Sequence, residues 1–309
     1  MNLQKPYTSY SGYLKAEYGE KVYKLPIKLN DITCPNRDGR LGYGGCIFCG
    51  ESGGSFENLS PDICIRDQLL TNKEYISKRY KAKKFIAYFQ NFTNTYIEDE
   101  KFFDYINQCR LDDIVGISIS TRPDSISESK LTFLEKFRED TGIDIIIELG
   151  LQTVNYQMLK KLNRGHGLSE FISVMYRLHE HGLRSCVHII IGLPWENDLD
   201  IVETAKILNV LGVDEVKVHS LYIVKNTKLA QMYREGTISP ISYEDFKRRV
   251  ILFLRYLDKN IIVQRLLGRV PEEDSVFCNW SMSWRKIHDE IVREMNYNSY
   301  KQGDLINER

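Results

Sequence analysis

The chain holds 309 residues, 42% of them in the hydrophobic class and 27% charged, with 42 Lys and Arg balancing 42 Asp and Glu. A mean hydropathy of -0.36 excludes a bilayer protein, and the apolar share excludes a disordered one. Zero formal charge gives no global attraction to nucleic acid, so any such attraction must come from a local basic face.

That length buries a substantial core and reads as one large unit with small additions. The opening MNLQKPYTSYSGYLKAEYGEKVYKL has no apolar h-region, and no stretch is long and apolar enough to span a bilayer. A cytoplasmic protein without a membrane partner is expected. Seven cysteines, an odd number in a chain that needs no staples, read as thiols or metal ligands.

In chain order, residues 1–22 are rich in tyrosine and charge and form an N-terminal extension with a short helix. VYKLPIKLNDI alternates loosely and predicts a strand that delivers an irregular, cysteine-bearing loop over 33–58. Helices and strands then alternate: a helix over 63–80, the strand KFIAYF, a helix over 97–109, the strand DIVGISIS, the helix SESKLTFLEKFRED and the strand GIDIIIELGLQ. Helices near 156–162 and 168–181, the strand SCVHIIIGLP, the helix DIVETAKILNVLG and the strand DEVKVHSLYIV continue the pattern. A less regular remainder contains a helix over 242–259, a short strand over 261–265, a loop, a helix over 284–294 and a polar tail.

Six strands beginning near 23, 84, 113, 144, 185 and 215, with amphipathic helices between them, signify βα units on a parallel sheet. The expected fold is α/β: a partial (β/α)6 TIM-like barrel over 23–225, preceded by the extension 1–22 and covered by a C-terminal extension, 226–309. A doubly wound open sheet accounts for the same alternation.

The loop CPNRDGRLGYGGCIFCG places Cys34, Cys46 and Cys49 at C-x11-C-x2-C. A structural zinc ion takes four protein ligands, and neither Cys64, in a predicted helix, nor His166 is an evident fourth. Three thiolates on a four-iron cluster leave one iron open to a substrate or cofactor. Gly42, Gly44, Gly45 and Gly50 suit a backbone wrapped closely around an anionic group, and Phe48 suits a shield or a plain core contact. On spacing alone, zinc, an iron–sulfur cluster and ordinary thiols all remain open.

The wide first gap, the CPNRDG…GGC-x-FC wording and the βα alternation together resemble the radical S-adenosylmethionine (SAM) superfamily over roughly residues 5–295. The usual spacing there is C-x3-C-x2-C. The longer gap resembles one branch, related to the catalytic domains of the Elongator catalytic subunit and of oxygen-independent coproporphyrinogen oxidase. This resemblance implies a [4Fe-4S] cluster on Cys34, Cys46 and Cys49, with S-adenosyl-L-methionine on the open iron. One-electron reduction from a flavodoxin- or ferredoxin-type donor would cleave it to a 5′-deoxyadenosyl radical.

Cofactor-binding positions implied by the same resemblance are Gln90, Asn91, Thr93 and Asn94 after the second strand, Arg122 and Asp124 in STRPD, and Glu148 and Gln152 in ELGLQ. Arg164 in LNRGHG and Gly192 and Pro194 in IGLP complete them, IGLP as the adenine-binding segment. Asn and Thr after a strand also serve as caps, and the glycines around Arg164 also terminate a helix. Arg122 is expected to orient a carboxylate through a bidentate pair. Substrate contacts are assigned to His166, His188, His219, Tyr222, Arg265 and Arg269, with Lys225 as a further candidate. His188 also reads as a satisfied core histidine, and Cys278 as a buried small hydrophobe or a hydrogen donor.

Two basic runs, SKRYKAKK and DFKRRV, read as solvated helix faces or as contacts to a nucleic acid backbone. The resemblance points to tRNA, through members of the branch in Gram-positive bacteria linked to the 5-aminomethyl side chain of the wobble uridine. The reaction it implies converts 5-carboxymethylaminomethyluridine to 5-aminomethyluridine. Two rivals stand beside it: a radical enzyme of a small metabolite or porphyrin-like substrate, and a zinc-stabilised RNA-binding or scaffold protein.

Overall fold

The computed structural model describes residues 5–30, 32–51, 53 and 59–307. Residues 52 and 54–58, at the end of the expected cysteine loop, lie outside the described residues, as do 1–4, 31 and 308–309.

Helix α1 (Tyr10–Tyr18) precedes β1 (Val22–Ile27), and the cysteine loop runs from β1 to α2 (Ile65–Tyr80). Strands and helices then alternate: β2 (Lys84–Phe89), α3 (Asp99–Asn107), β3 (Ile114–Thr121), α4 (Glu128–Thr141) and β4 (Asp144–Gln152). They continue as α5 (Tyr156–Lys161), α6 (Leu168–Glu180), β5 (Arg184–Ile191), α7 (Asp198–Val210) and β6 (Glu215–Ser220). The remainder holds β7 (Ile223–Val224), α8 (Lys228–Arg234), α9 (Tyr243–Tyr256), β8 (Ile262–Arg265), β9 (Ser275–Phe277) and α10 (Trp284–Tyr297). The side chains of Ser127, Asn197 and Ser242 accept from first-turn amides and set where α4, α7 and α9 begin.

The strands lie in the order β1, β2, β3, β4, β5, β6, β8, every neighbouring pair parallel. The six expected strands all form, and the short 262–265 segment adds a seventh beside β6, so the sheet continues to Arg265. The sheet is curled, not doubly wound. On an open sheet β1 and β4 would stand three strand spacings apart, about 14 Å, yet the Nζ of Lys24 on β1 lies 2.5 Å from Glu148 Oε1 on β4. This is the partial barrel.

Alternation along each strand sorts the two faces. Leu25, Ala87, Ile119, Ile147, Val187 and Val218 turn outward into one large core beneath the helices. Lys24, Tyr88, Ser120, Glu148, His188 and Lys217 turn inward and line a cavity. Barrel interiors are ordinarily filled by branched apolar layers; here polar and charged side chains take those positions.

The seam between β1 and β8 is covered by α1, which packs on both. Just before it, Val263 N donates to Thr8 O at 2.8 Å, and Ser9 bridges Val263. A second, smaller core of Leu162, Leu193, Ile223 and Leu229 packs against Ile47 and Phe48, fixing the cysteine loop to the outer elements. Among the described residues no helix is long and apolar enough to cross a membrane.

Candidate active site

The cysteine loop folds through its own backbone before any side chain is considered. Arg37 N donates to Cys34 O at 2.7 Å, Gly45 N to Asn36 O at 2.8 Å and Cys49 N to Cys46 O at 3.0 Å. Gly45 has φ of 74°, and a Cβ there would sit 2.9 Å from the Arg37 side chain. Arg37 needs that room because its Nη2 donates to the carbonyls of Cys49 (2.6 Å) and Gly50 (2.8 Å), stapling the two halves of the loop.

Cys34, Cys46 and Cys49 all line one cavity of about 790 Å³. Arg164 Nη1 lies 3.0 Å from Cys46 Sγ, and Arg122 Nη1 lies 4.0 Å from Cys34 Sγ. With Arg37 these make three guanidiniums around three thiols, an environment that favours thiolates. Burial and the neighbouring Cys46 nevertheless push the Cys49 thiol up, with Arg37 opposing.

Deeper in the barrel, five side chains converge on the Glu148 carboxylate. Its Oε1 meets Lys24 Nζ at 2.5 Å and Ser118 Oγ at 2.6 Å; its Oε2 meets Lys217 Nζ at 2.5 Å, His188 Nε2 at 2.7 Å and Ser120 Oγ at 3.4 Å. Burial alone would raise this carboxyl, but Lys217, Lys24 and His188 outweigh it and hold it well below the usual range. The two lysines do not share the benefit. Lys24 is raised by Glu148 against its burial, whereas burial pulls Lys217 down to about 8, with Glu148 opposing and Lys24 adding. Glu148 is shared between two ammoniums, and of these Lys24 also has Glu215 acting on it. Burial also lowers His188, to about 4, and His219, well below its usual value, so both rings are neutral.

Ligand-type atoms of Glu148, Cys186 and His188 lie within 4.8 Å of one another. Both carboxylate oxygens already hold an ammonium, so a metal ion bound there would have to displace Lys24 and Lys217.

Of the residues singled out in the sequence, Gln90, Thr93, Arg122, Glu148, Gln152, Arg164, His188, His219, Tyr222, Arg265 and Arg269 line the same cavity as the cysteines. Others do not. The Asn91 amide exchanges two hydrogen bonds with the Leu29 backbone, and Asn94 donates to the carbonyls of Phe89 and Ser120, so both tie loops together. The bidentate pair expected of Arg122 is formed with Asp124 itself, at 2.8 and 2.7 Å, which leaves that carboxylate outside the lining. His166 is buried behind Arg164, at 3.0 Å, and burial with the Arg164 and Arg122 charges brings it down to about 3. A Cβ on Gly192 would meet Ile241 and Phe246, so it packs towards α9, and Pro194 is likewise not in the lining. Lys225 donates to Glu273 O, and burial raises the Cys278 thiol.

Lys24, Lys217, Tyr88 and Arg37 line the cavity and escaped the sequence reading. The signal was available for Lys217: in DEVKVHS it shares the face of His219, opposite Val216 and Val218.

The geometry is that of a metal-loop barrel, and the family comparison agrees with it. Residues 37–208 match the model of the Radical SAM superfamily, and 213–297 match that of the Radical_SAM C-terminal domain. The chain belongs to the radical SAM superfamily. It is 34% identical over 310 residues to YtqA of Bacillus subtilis, covering 99% of this chain and 94% of that protein. A tRNA uridine(34) acetyltransferase of Methanocaldococcus infernus is 27% identical over 169 residues, 54% of this chain and 31% of that protein. Among solved structures, the archaeal Methanocaldococcus infernus Elp3 with an N-terminal deletion superposes with a TM-score of 0.68 at 18% identity, covering 91% of this chain and 64% of that one. The last likeness is one of fold.

This radical SAM enzyme has residues that fit the cofactor system its family implies. Three thiols share one cavity wall, guanidiniums stand ready to balance their charge, and the positive φ of Gly45 leaves room for the Arg37 staple.

Proposed function

We propose that the chain is a cytoplasmic tRNA-modifying radical SAM enzyme that converts 5-carboxymethylaminomethyluridine at the wobble position to 5-aminomethyluridine. The observation that carries this reading is a barrel interior lined by lysine, arginine and histidine beneath the three-cysteine loop. Cys34, Cys46 and Cys49 would hold a [4Fe-4S] cluster, and the cavity beside them S-adenosyl-L-methionine. Together these would supply a hydrogen-abstracting radical, the electron from a flavodoxin- or ferredoxin-type donor being returned as the substrate is oxidised.

Over the whole reaction the methylene between nitrogen and carboxylate is oxidised by two electrons to an aldehyde. S-adenosylmethionine is reduced to methionine and 5′-deoxyadenosine, and one water is consumed as the C–N bond breaks. The chain's own residues enclose and orient. Gln90, Thr93 and Gln152 offer polar groups to the cofactor, Tyr222 and His219 face the substrate, and the curled sheet surrounds the interior on its sides. An anticodon-loop base reaches such an interior with little unpairing cost. The similarity to tRNA uridine(34) acetyltransferases, over about half of this chain, supports a nucleoside at that position.

The test is anaerobic. Reconstituted protein receives dithionite, S-adenosylmethionine and hypomodified tRNA, and 5′-deoxyadenosine and the wobble nucleoside are quantified, with Cys46→Ala as control. Deoxyadenosine that rises with tRNA, alongside loss of the carboxymethyl unit, is expected. Equal formation without tRNA would favour a small-molecule substrate, and none from a fully loaded cluster would sink the reading.

A further inference from the structure

We propose that Lys217 and Arg265, with His219 between β6 and β8, form a carboxylate-binding subsite that takes the carboxylate of the substrate's carboxymethylamino group. The identity of that carboxylate rests on the function proposed above; the subsite itself rests on the charge and hydrogen bonding of the cavity.

Seven described side chains in the lining are lysine or arginine, and one, Glu148, is acidic. In a chain with no net charge this excess is local. The cations near the cysteines are engaged: Arg122 by Asp124, Arg164 by Cys46 Sγ and Gly150 O, and Arg37 by two carbonyls. Those around Glu148 are unevenly balanced. Glu148 is shared by Lys24 and Lys217, and Lys24 is further held by Glu215, whereas Glu148 is the one carboxylate in contact with Lys217 among the described residues.

Arg265 adds a further positive charge. Its Nη2 lies 2.9 Å from the His219 ring, whose neutral imidazole brings no negative charge, and its Nε is buried with no hydrogen-bond partner. A buried N–H without an acceptor is costly, and an anion in the cavity would supply one. A planar fork beside an ammonium is the arrangement that grips a carboxylate.

The anion must also reach the place. Lys217 has 6% of its side chain exposed, on the inner face of a curled sheet, so a backbone phosphate cannot descend to it. A carboxylate on a short substituent of an everted base can. Tyr222, its ring tilted 54° from that of His219 at a centroid distance of 6.2 Å, lines the same cavity as the three cysteines. Carboxylate capture here therefore holds the methylene in the cavity that the cysteines also face.

The experiment compares two anticodon stem-loops differing only in the wobble substituent, carboxymethylaminomethyl or aminomethyl. Each is titrated by fluorescence anisotropy into the reconstituted holoenzyme with S-adenosylmethionine, as wild type, Arg265→Gln and Lys217→Met. Wild type is expected to prefer the carboxylate form by about 10–100-fold, the range of charge-assisted hydrogen bonds. Both variants, folded by circular dichroism, are expected to bind the two stem-loops within about threefold of each other. Preference absent in wild type, or retained in both variants, overturns the proposal. So does a loss of S-adenosylmethionine affinity in Arg265→Gln with the preference intact, which would assign the subsite to the cofactor.

A second probe separates the subsite from the tRNA reading. N-methylglycine, the bare end of the substituent, is expected to raise the melting temperature of wild type and not of Arg265→Gln. If wild type neither binds nor converts the stem-loops but retains this shift, the tRNA reading falls and the subsite stands. If the shift is absent too, both fall.

Discussion

The guanidinium of Arg164 lies 3.0 Å from the sulfur of Cys46, 118 residues earlier in the chain. The same guanidinium donates to Gly150 O, and a Cβ on Gly150 would press on it at 3.1 Å. One arginine thus ties the cysteine loop to the end of β4. Replacing it with methionine removes a charge-assisted hydrogen bond of about 1.5–3 kcal/mol. Arg164→Met is expected to fold, to retain several-fold less iron than wild type after reconstitution and desalting, and to be rescued in part by Arg164→Lys. Iron and sulfide analysis checks this; full retention in Arg164→Met would make the contact incidental.

The Glu148 hub predicts an asymmetry between its partners. Glu148→Gln removes the carboxylate that two buried ammoniums share and is expected to destabilise the fold by about 3–5 kcal/mol. Lys217→Met leaves Lys24 and Glu148 as a one-to-one pair and is expected to be much milder. Urea unfolding of the two variants, both purified without cofactor, decides it. Equal losses would mean that Lys217 is as firmly compensated as Lys24.

Much of the scaffold was legible because strands covered on both faces read as short apolar runs between amphipathic helices, as Ile145, Ile146 and Ile147 do in β4. The three cysteines were legible from spacing and wording. The inner row was harder. A lysine in a short strand, such as Lys24 in VYKLPI, reads equally as an edge residue, and only the curl of the sheet brings it to Glu148. Asn91 and Asn94 show the opposite difficulty: amides at a strand's end suggest ligands, and here both also hold neighbouring backbone groups. The pairing of β8 with β6 depends on four residues, too few to carry a periodic signal.

A pH dependence follows from Glu196, which is buried at the entry to α7. Burial pushes its carboxyl up to about 8, with Thr153 opposing. Between the ordinary carboxylate range and about 8 the folded chain therefore holds a proton that the unfolded chain has lost, and stability falls as pH rises through that window. Glu196→Gln is expected to remove this slope, its advantage over wild type growing by up to about 1.4 kcal/mol per pH unit. Denaturation midpoints at a series of pH values check it, and parallel curves for the two proteins would refute it.

The turn Asn279–Trp280–Ser281 places three non-glycine residues at φ of 49°, 51° and 56°. It is held by the buried Asn279 amide, which accepts from Ser220 Oγ at 2.7 Å and donates to Gly268 O at 3.0 Å. Gly268 adjoins Arg269 and Val270 of the cavity lining. Asn279→Ala is expected to cost about 1–3 kcal/mol and to speed amide exchange over residues 266–271. Unchanged exchange there would detach the turn from the cavity.

The covered seam carries a consequence for how the enzyme comes into being. Thr8 and Ser9 clasp Val263, and Thr8 N also donates to the Gln302 side chain at 2.9 Å. Contacts of such sequence separation close late, because the intervening chain must be ordered first. The wall between β1 and β8 is therefore the last part of the barrel expected to close, because the partners of the N-terminal segment lie at residues 263 and 302.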